Sequence, residues 1–274
     1  MTQAYVSLKQ RAQDHQRVLD AKLRVRVGTA MCGMASGAEA VVEAFRREFV
    51  SHDVDGAVSG VGCLGLCYAE PLVDIQTSGG PRIFYANVTP DEAAELVQSH
   101  LVAGQPLMSR AMAAQGDDKR SGLPGLEDLE MMRGQVRIAL RNAGHIDPED
   151  LYQYVAEGGY GALDRALSEM TPQEVQEQVA ASGLRGRGGA AFSTATKWRF
   201  LMGSPGPTKY ILCNCEEGDP GAFNDKGILE SDPHTLLEGL LLAGYATGTG
   251  YGYVFIRHGH DGPIDRMSRA IQQA

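Results

Sequence analysis

Between Gly183 and Lys197 the chain reads Gly-Leu-Arg-Gly-Arg-Gly-Gly-Ala-Ala-Phe-Ser-Thr-Ala-Thr-Lys, with Trp198 next. Closely spaced glycines expose backbone amides that can wrap an anion, and basic side chains add complementary charge. No acidic residue occurs from Ser182 to Cys215, whereas Arg185, Arg187, Lys197, Arg199 and Lys209 do, in a chain of formal net charge -9. A cationic island in an acidic protein points to a small phosphate-bearing cofactor rather than to nucleic acid. Downstream, Asn214-Cys-Glu-Glu-Gly-Asp-Pro-Gly221 offers an amide and three carboxylates in one turn. A second group of reactive residues is Cys32, Cys63 and Cys67, the last two as Cys-Leu-Gly-Leu-Cys. Three residues separate that pair instead of the two of thioredoxin-type redox motifs, which disfavours a stand-alone thiol-redox enzyme.

Taken together, the glycine loop and the Asn214–Gly221 turn resemble the flavin-binding subunit of respiratory complex I and its soluble relatives, the diaphorase subunits of NAD-linked hydrogenases and formate dehydrogenases. The family form is Gly-Leu-Arg-Gly-Arg-Gly-Gly-Ala-Gly-Phe-Pro-Thr-Gly closing in Lys-Trp, then Asn-x-Asp-Glu and Pro-Gly-x-Phe. Gly186, Gly188, Gly189, Phe192, Thr194, Lys197, Trp198, Asn214, Glu217, Pro220, Gly221, Phe223 and Asp225 match it. The likeness covers roughly residues 131–274. It implies FMN as cofactor, with Gly186, Arg187, Gly188, Gly189 and Lys197 at the phosphate and Asn214, Glu216 and Glu217 nearer the ring. Phe192, Phe200 and Asp219 would face the nucleotide, NAD(H). No side chain is expected as a covalent catalyst.

Departures from the family form carry information too. Ala191, Ser193 and Ala195 stand where the family has Gly, Pro and Gly, and Glu216 replaces Asp. A methyl where φ must be positive costs on the order of 1 kcal/mol. Relatives continue past this point into a Cys-Gly-Glu-Glu nucleotide segment and an iron–sulfur domain, so either a second polypeptide completes the site, the chain is a fragment, or it is a degenerate copy kept for structure. The cysteines of the first module resemble those of thioredoxin-like [2Fe–2S] ferredoxins. In that family a fourth cysteine lies five residues before Cys32, at the position of Val27. A cluster needs four ligands, so the resemblance implies Cys32, Cys63 and Cys67 as metal ligands with one position open, or a retained fold without its [2Fe–2S] centre.

Two functions follow. One is an electron-transfer subunit of an NADH dehydrogenase or diaphorase, active only within a complex, in which FMN takes hydride from NAD(P)H and passes single electrons to iron–sulfur clusters, or the reverse. The other is a cofactor-poor docking subunit of a redox complex. Expected partners are cluster-bearing redox subunits, the missing C-terminal half and NAD(H), without nucleic acid or direct membrane insertion.

The elements that must position these residues can be read from the pattern. At 274 residues and 43% hydrophobic content the chain suits about two packed domains. Leu236–Ala246 is too short to cross a bilayer, residues 1–19 lack a signal-peptide core, and the grouped cysteines suit a reducing compartment. A cytoplasmic location is expected, with any membrane association made through partners. The fold class is α/β: a helical segment (1–22), a thioredoxin-like domain (23–105), a linker (106–130) and the N-terminal part of the α/β FMN-binding domain of complex I flavin subunits (131–274). Leu-Arg-Val-Arg-Val from Leu23 alternates as a strand, and Ser36-Gly-Ala-Glu39 reads as a capping box. Strands are expected at 56–60, 71–77 and 81–88, before a helix capped by Thr89 with Pro90 at its first position. Asp147-Pro-Glu-Asp150 and Thr171-Pro-Gln-Glu174 read as helix starts. The glycine loop thus follows a helix, unlike a Rossmann fingerprint. Residues 209–215 and 251–256 are expected as strands, joined through one helix over 229–247 in an α/β crossover. Cys213 and Cys215 read as buried thiols, His258 and His260 as loop histidines, and Trp198 as core.

Overall fold

The chain is described by a computed structural model over residues 1–116 and 122–274; residues 117–121 of the expected linker lie outside the described residues. Thr2 caps α1 (Gln3–Asp20) by accepting from the Tyr5 amide. The alternation that follows forms β1 (Leu23–Gly28), whose Val25 and Val27 enter the core while Arg24 and Arg26 take the opposite face. After the short α2 (Met31–Ala35) comes α3 (Ala38–Ser51), started by Gly37 at φ 93 rather than by Ser36 as a capping box. A left-handed residue at that position suits glycine, so the turn geometry overrides the side-chain cap. Val41, Val42, Phe45 and Phe49 on α3 pack over β1.

Parallel to β1 runs β2 (Gly56–Val61). β3 (Val73–Gln76) and β4 (Arg82–Tyr85) form an antiparallel pair beside β1. α4 (Pro90–Leu96) has the expected capping box of Thr89 and Glu92, and a π-turn over Val97–Val102 prolongs it. The sheet order β2-β1-β3-β4, with a parallel first pair and antiparallel remainder, is the thioredoxin-like arrangement. A fifth strand, β5 (Ala111–Gln115), pairs with β4 inside the segment expected as linker. Its Ala-Met-Ala-Ala-Gln sequence has neither alternation nor β-branched residues, so the open edge of β4, not local propensity, makes it a strand.

In the second half, α5 (Leu151–Ala156) is capped by Asp150, which accepts from the Tyr152 and Gln153 amides, so the Asp147–Asp150 start begins at its last residue. α6 (Gly161–Glu169) precedes α7 (Pro172–Ser182), which has the predicted Thr171 and Glu174 capping box. The glycine loop leads into α8 (Thr194–Gly203), then β6 (Tyr210–Cys215). The single helix expected over 229–247 is two, α9 (Asp225–Ser231) and α10 (Pro233–Thr247), because Pro233 cannot continue the first. β7 (Tyr251–Ile256) lies parallel to β6, giving the α/β crossover. A last helix, α11 (Asp261–Gln273), packs against α9 and α10. Among the described residues no helix is long and apolar enough to cross a membrane.

Candidate functional site

The glycine loop is built between two helix ends. α7 closes at Gly183, φ 68, and the chain then doubles back: the Gly186 amide donates to the Phe192 carbonyl at 2.8 Å and the Thr194 amide to the Leu184 carbonyl at 3.0 Å. At the tip, no protein group accepts from the amides of Arg187, Gly188, Gly189 or Ala190 among the described residues. A Cβ at Gly188 or Gly189 would meet nothing within 4 Å, so the tip is an open rim of unpaired donors. Ala191 holds φ 48 and Gly189 φ 101, so a position where the family has glycine is left-handed here.

Ser193 replaces proline as the N-cap of α8, accepting from the Thr196 amide at 3.3 Å. The positive end of this helix therefore faces the loop. One turn in, the exposed Lys197 ammonium lies 3.8 Å from where a Gly186 Cβ would stand. Ala195 is buried, and its carbonyl accepts from Gln176 Nε2 at 3.1 Å, tying α8 to α7. Trp198 packs with Val175, Ala246 and Tyr245, on the core side as expected. Phe192 and Phe200 are exposed apolar rings, Phe200 one turn beyond Lys197 on α8.

At the C-terminal end of β6, Ile211, Cys213 and Cys215 turn inward and Asn214 outward, as the alternation predicts. The carboxylates behind it are engaged within the protein. Glu216 forms an ion pair with Arg257 at 2.8 Å. Glu217 is buried and accepts from the amides of Asn224, Asp225 and Lys226 at 2.6, 3.2 and 3.1 Å, capping α9. Burial acts to raise its pKa, but the three amides outweigh it and hold the carboxyl below the usual range. Asp219 is exposed and accepts from the Gly221 amide at 3.1 Å. Both α8 and β6 pack on α10, which fixes the loop and the turn to one scaffold. A cleft of about 530 Å³ elsewhere, lined by Tyr5, Tyr152, Tyr160 and Leu241, includes no residue of the glycine loop.

In the first module, Cys32 Sγ lies 3.0 Å from Cys67 Sγ and Cys63 Sγ 3.9 Å from Cys67 Sγ, and all three fall within 4.8 Å of one another. Val27 is fully buried in the main core on β1, on the face opposite Arg26, so the residue at the family's fourth ligand position faces away from solvent and into packed side chains. His52 stands by Glu48 in the last turn of α3 and is not among the clustered donors. Two residues that local sequence did not single out lie at the thiols. Glu70 is buried and accepts from the Leu72 amide at 2.7 Å. Arg137 donates to the Leu64 carbonyl and interacts electrostatically with Cys63. Burial, with the neighbouring Cys67 thiol, pushes Cys32 up to about 11. Glu70 could have been suspected from its place three residues after Cys67; Arg137 is 70 residues away in sequence and carried no signal.

Residues 179–274 match the family model of the Nuo51 FMN-binding domain. Over 140 residues the chain is 47% identical to the NADP-reducing hydrogenase subunit HndC of Solidesulfovibrio fructosivorans, covering 51% of this chain and 28% of the relative. It is 48% identical over 137 residues to an NADH-quinone oxidoreductase subunit of Rhizobium meliloti, covering 50% and 32%. It is 29% identical over 261 residues to the NAD-reducing hydrogenase HoxS subunit alpha of Cupriavidus necator, covering 92% and 40%. The chain thus spans between 28% and 40% of the length of these relatives.

Proposed function

Proceeding from a Nuo51-type FMN-binding segment at residues 179–274, we propose that this chain is the flavin-holding part of an NADH-linked electron-transfer subunit that works within a complex. The observation that carries the reading is the rim of unpaired amides at 187–190, backed by the α8 N-terminus and the Lys197 ammonium. Such a cradle suits a phosphate. Gly186, Arg187, Gly188, Gly189 and Lys197 would hold the FMN phosphate, with Asn214 at the exposed end of β6 toward the ring. Phe192, Phe200 and Asp219, all exposed, are assigned to the nucleotide side, NAD(H).

Bound FMN supplies the exchange between hydride transfer and single-electron transfer. The chain's own task is position and charge. Lys197 neutralises phosphate, the Glu216–Arg257 pair sets the field at the mouth of the site, and Glu217 fixes α9 beneath it. Relatives named as subunits of hydrogenases and of NADH-quinone oxidoreductase support cluster-bearing redox subunits as partners. We do not assign a four-thiolate [2Fe–2S] centre to the first module, because Val27 is packed in its core.

A second reading, a cofactor-poor docking subunit, is favoured by one observation: Glu216 and Glu217 are already engaged within the protein. Acid-released FMN measured on the protein purified with its partners separates the two. About one FMN per chain is expected, and Lys197→Ala should lower occupancy about tenfold, the loss of one charge-assisted contact. Full flavin occupancy in that variant would disprove the phosphate assignment; absence of flavin from the unaltered protein would establish the docking role.

A further inference from the structure

The three thiols of the first module are spaced for a different group from the one the ferredoxin resemblance implies. A two-iron cluster sets its two thiolate pairs apart by the length of its Fe–S rhomb and needs four protein donors. A single tetrahedral ion with metal–sulfur bonds of about 2.3 Å brings its sulfurs to about 3.8 Å from one another. The Sγ atoms here are 3.0 and 3.9 Å apart along two edges and within 4.8 Å on the third. We propose that Cys32, Cys63 and Cys67 form a three-thiolate site for a single tetrahedral thiophilic divalent cation, zinc, with its fourth position open to water.

The three thiols supply three of the four positions of a tetrahedral zinc, and the exposed Cys67 leaves the fourth to water. Glu70 is not a ligand: its carboxylate is not among the donors gathered within 4.8 Å, and its Oε2 accepts from the Leu72 amide at 2.7 Å.

Arg137 provides an independent observation. Its Nε and Nη1 are buried without a hydrogen-bond partner, while its charge interacts with Cys63. Orphaned guanidinium donors beside a neutral thiol are costly, whereas metal-bound thiolates accept hydrogen bonds. Three thiolates around a divalent ion leave net negative charge, which Arg137 offsets. Binding releases the three thiol protons to solvent as the three metal–sulfur bonds form, with no change of oxidation state. Cys67 is exposed and gives the ion an access path.

The test is metal analysis and cobalt titration of the full chain. The protein stripped by chelator should take up about one Zn²⁺ or Co²⁺ per chain, the cobalt form showing intense thiolate-to-metal charge-transfer absorption of a tetrahedral site. Cys63→Ser should abolish that absorption, and Cys32→Ser should weaken cobalt binding more than about tenfold while leaving FMN content unchanged. Cobalt titration of the unaltered chain keeps the test valid if a variant fails to fold. Two irons with acid-labile sulfide in the purified protein would overturn the mononuclear site. So would a metal-indifferent protein, with either all five cysteines free or two of them lost to a Cys32–Cys67 disulfide.

Discussion

Ala191 carries a methyl at φ 48 in the loop assigned to phosphate. Relief of that strain by glycine is worth about 1 kcal/mol. Ala191→Gly should therefore raise stability by about 1 kcal/mol in denaturant unfolding; an unchanged midpoint would show that the methyl costs nothing there. Glu217→Gln tests the other assignment. Losing the charge on three amide bonds should destabilise the fold by about 1 to 3 kcal/mol in denaturant unfolding. Because the folded carboxyl is held below its usual range, that stabilisation is present above the ordinary glutamate pKa and disappears as pH falls through the folded value. The strain at position 191 was legible in the sequence, since alanine replaces a family glycine there. Glu217 was not, because its acceptor role depends on amides seven to nine residues ahead that only the turn at Asp219–Gly221 brings back.

Elements with a clear period were legible: β1, α3, α7 and β6 follow from alternation, helical spacing and capping residues. Elements made by their neighbours were not. β5 exists because β4 offers an edge, and α11 was hidden by Gly262-Pro263 at its start although Pro263, Met267 and Ala270 form its buried side. The break between α9 and α10 is anchored by Asp232, which accepts from the Thr235 amide and hydroxyl and from Asn142 Nδ2 at 2.6 Å. Asp232→Ala should cost about 2 to 4 kcal/mol, since it leaves Asn142 buried and unpaired. Parallel strands are ordinarily covered on both faces, yet Leu212 is 70% and Phe255 58% exposed on the β6–β7 pair. Leu212→Lys with Phe255→Lys should reduce self-association in light scattering while changing stability by no more than about 1 kcal/mol.

Across the whole molecule, buried titratable groups couple stability to acid. Burial pushes His100 down to about 4, and burial with Arg82 alongside does the same to His145. Each stays neutral in the fold but gains a proton when unfolded below about pH 6.5, so stability falls as pH drops from there toward 4. Asp147 opposes them: burial raises it to about 6, so its contribution is present at low pH and lost as pH rises through that value. His100→Gln should flatten the part of the decline in thermal midpoint on acidification that His100 contributes.

The thioredoxin-like sheet and the second half are joined at the thiol loop itself. Glu230 accepts from the Met31 amide at 3.0 Å, Arg266 donates to the Thr29 carbonyl at 3.0 Å, and a Cβ on Gly62 would lie 2.1 Å from Ser231 Oγ. Each of these contacts pairs a residue close to a cysteine with one on α9 or α11. The modules are consequently poor cassettes: a graft of either onto a foreign partner would strand a buried carboxylate or guanidinium.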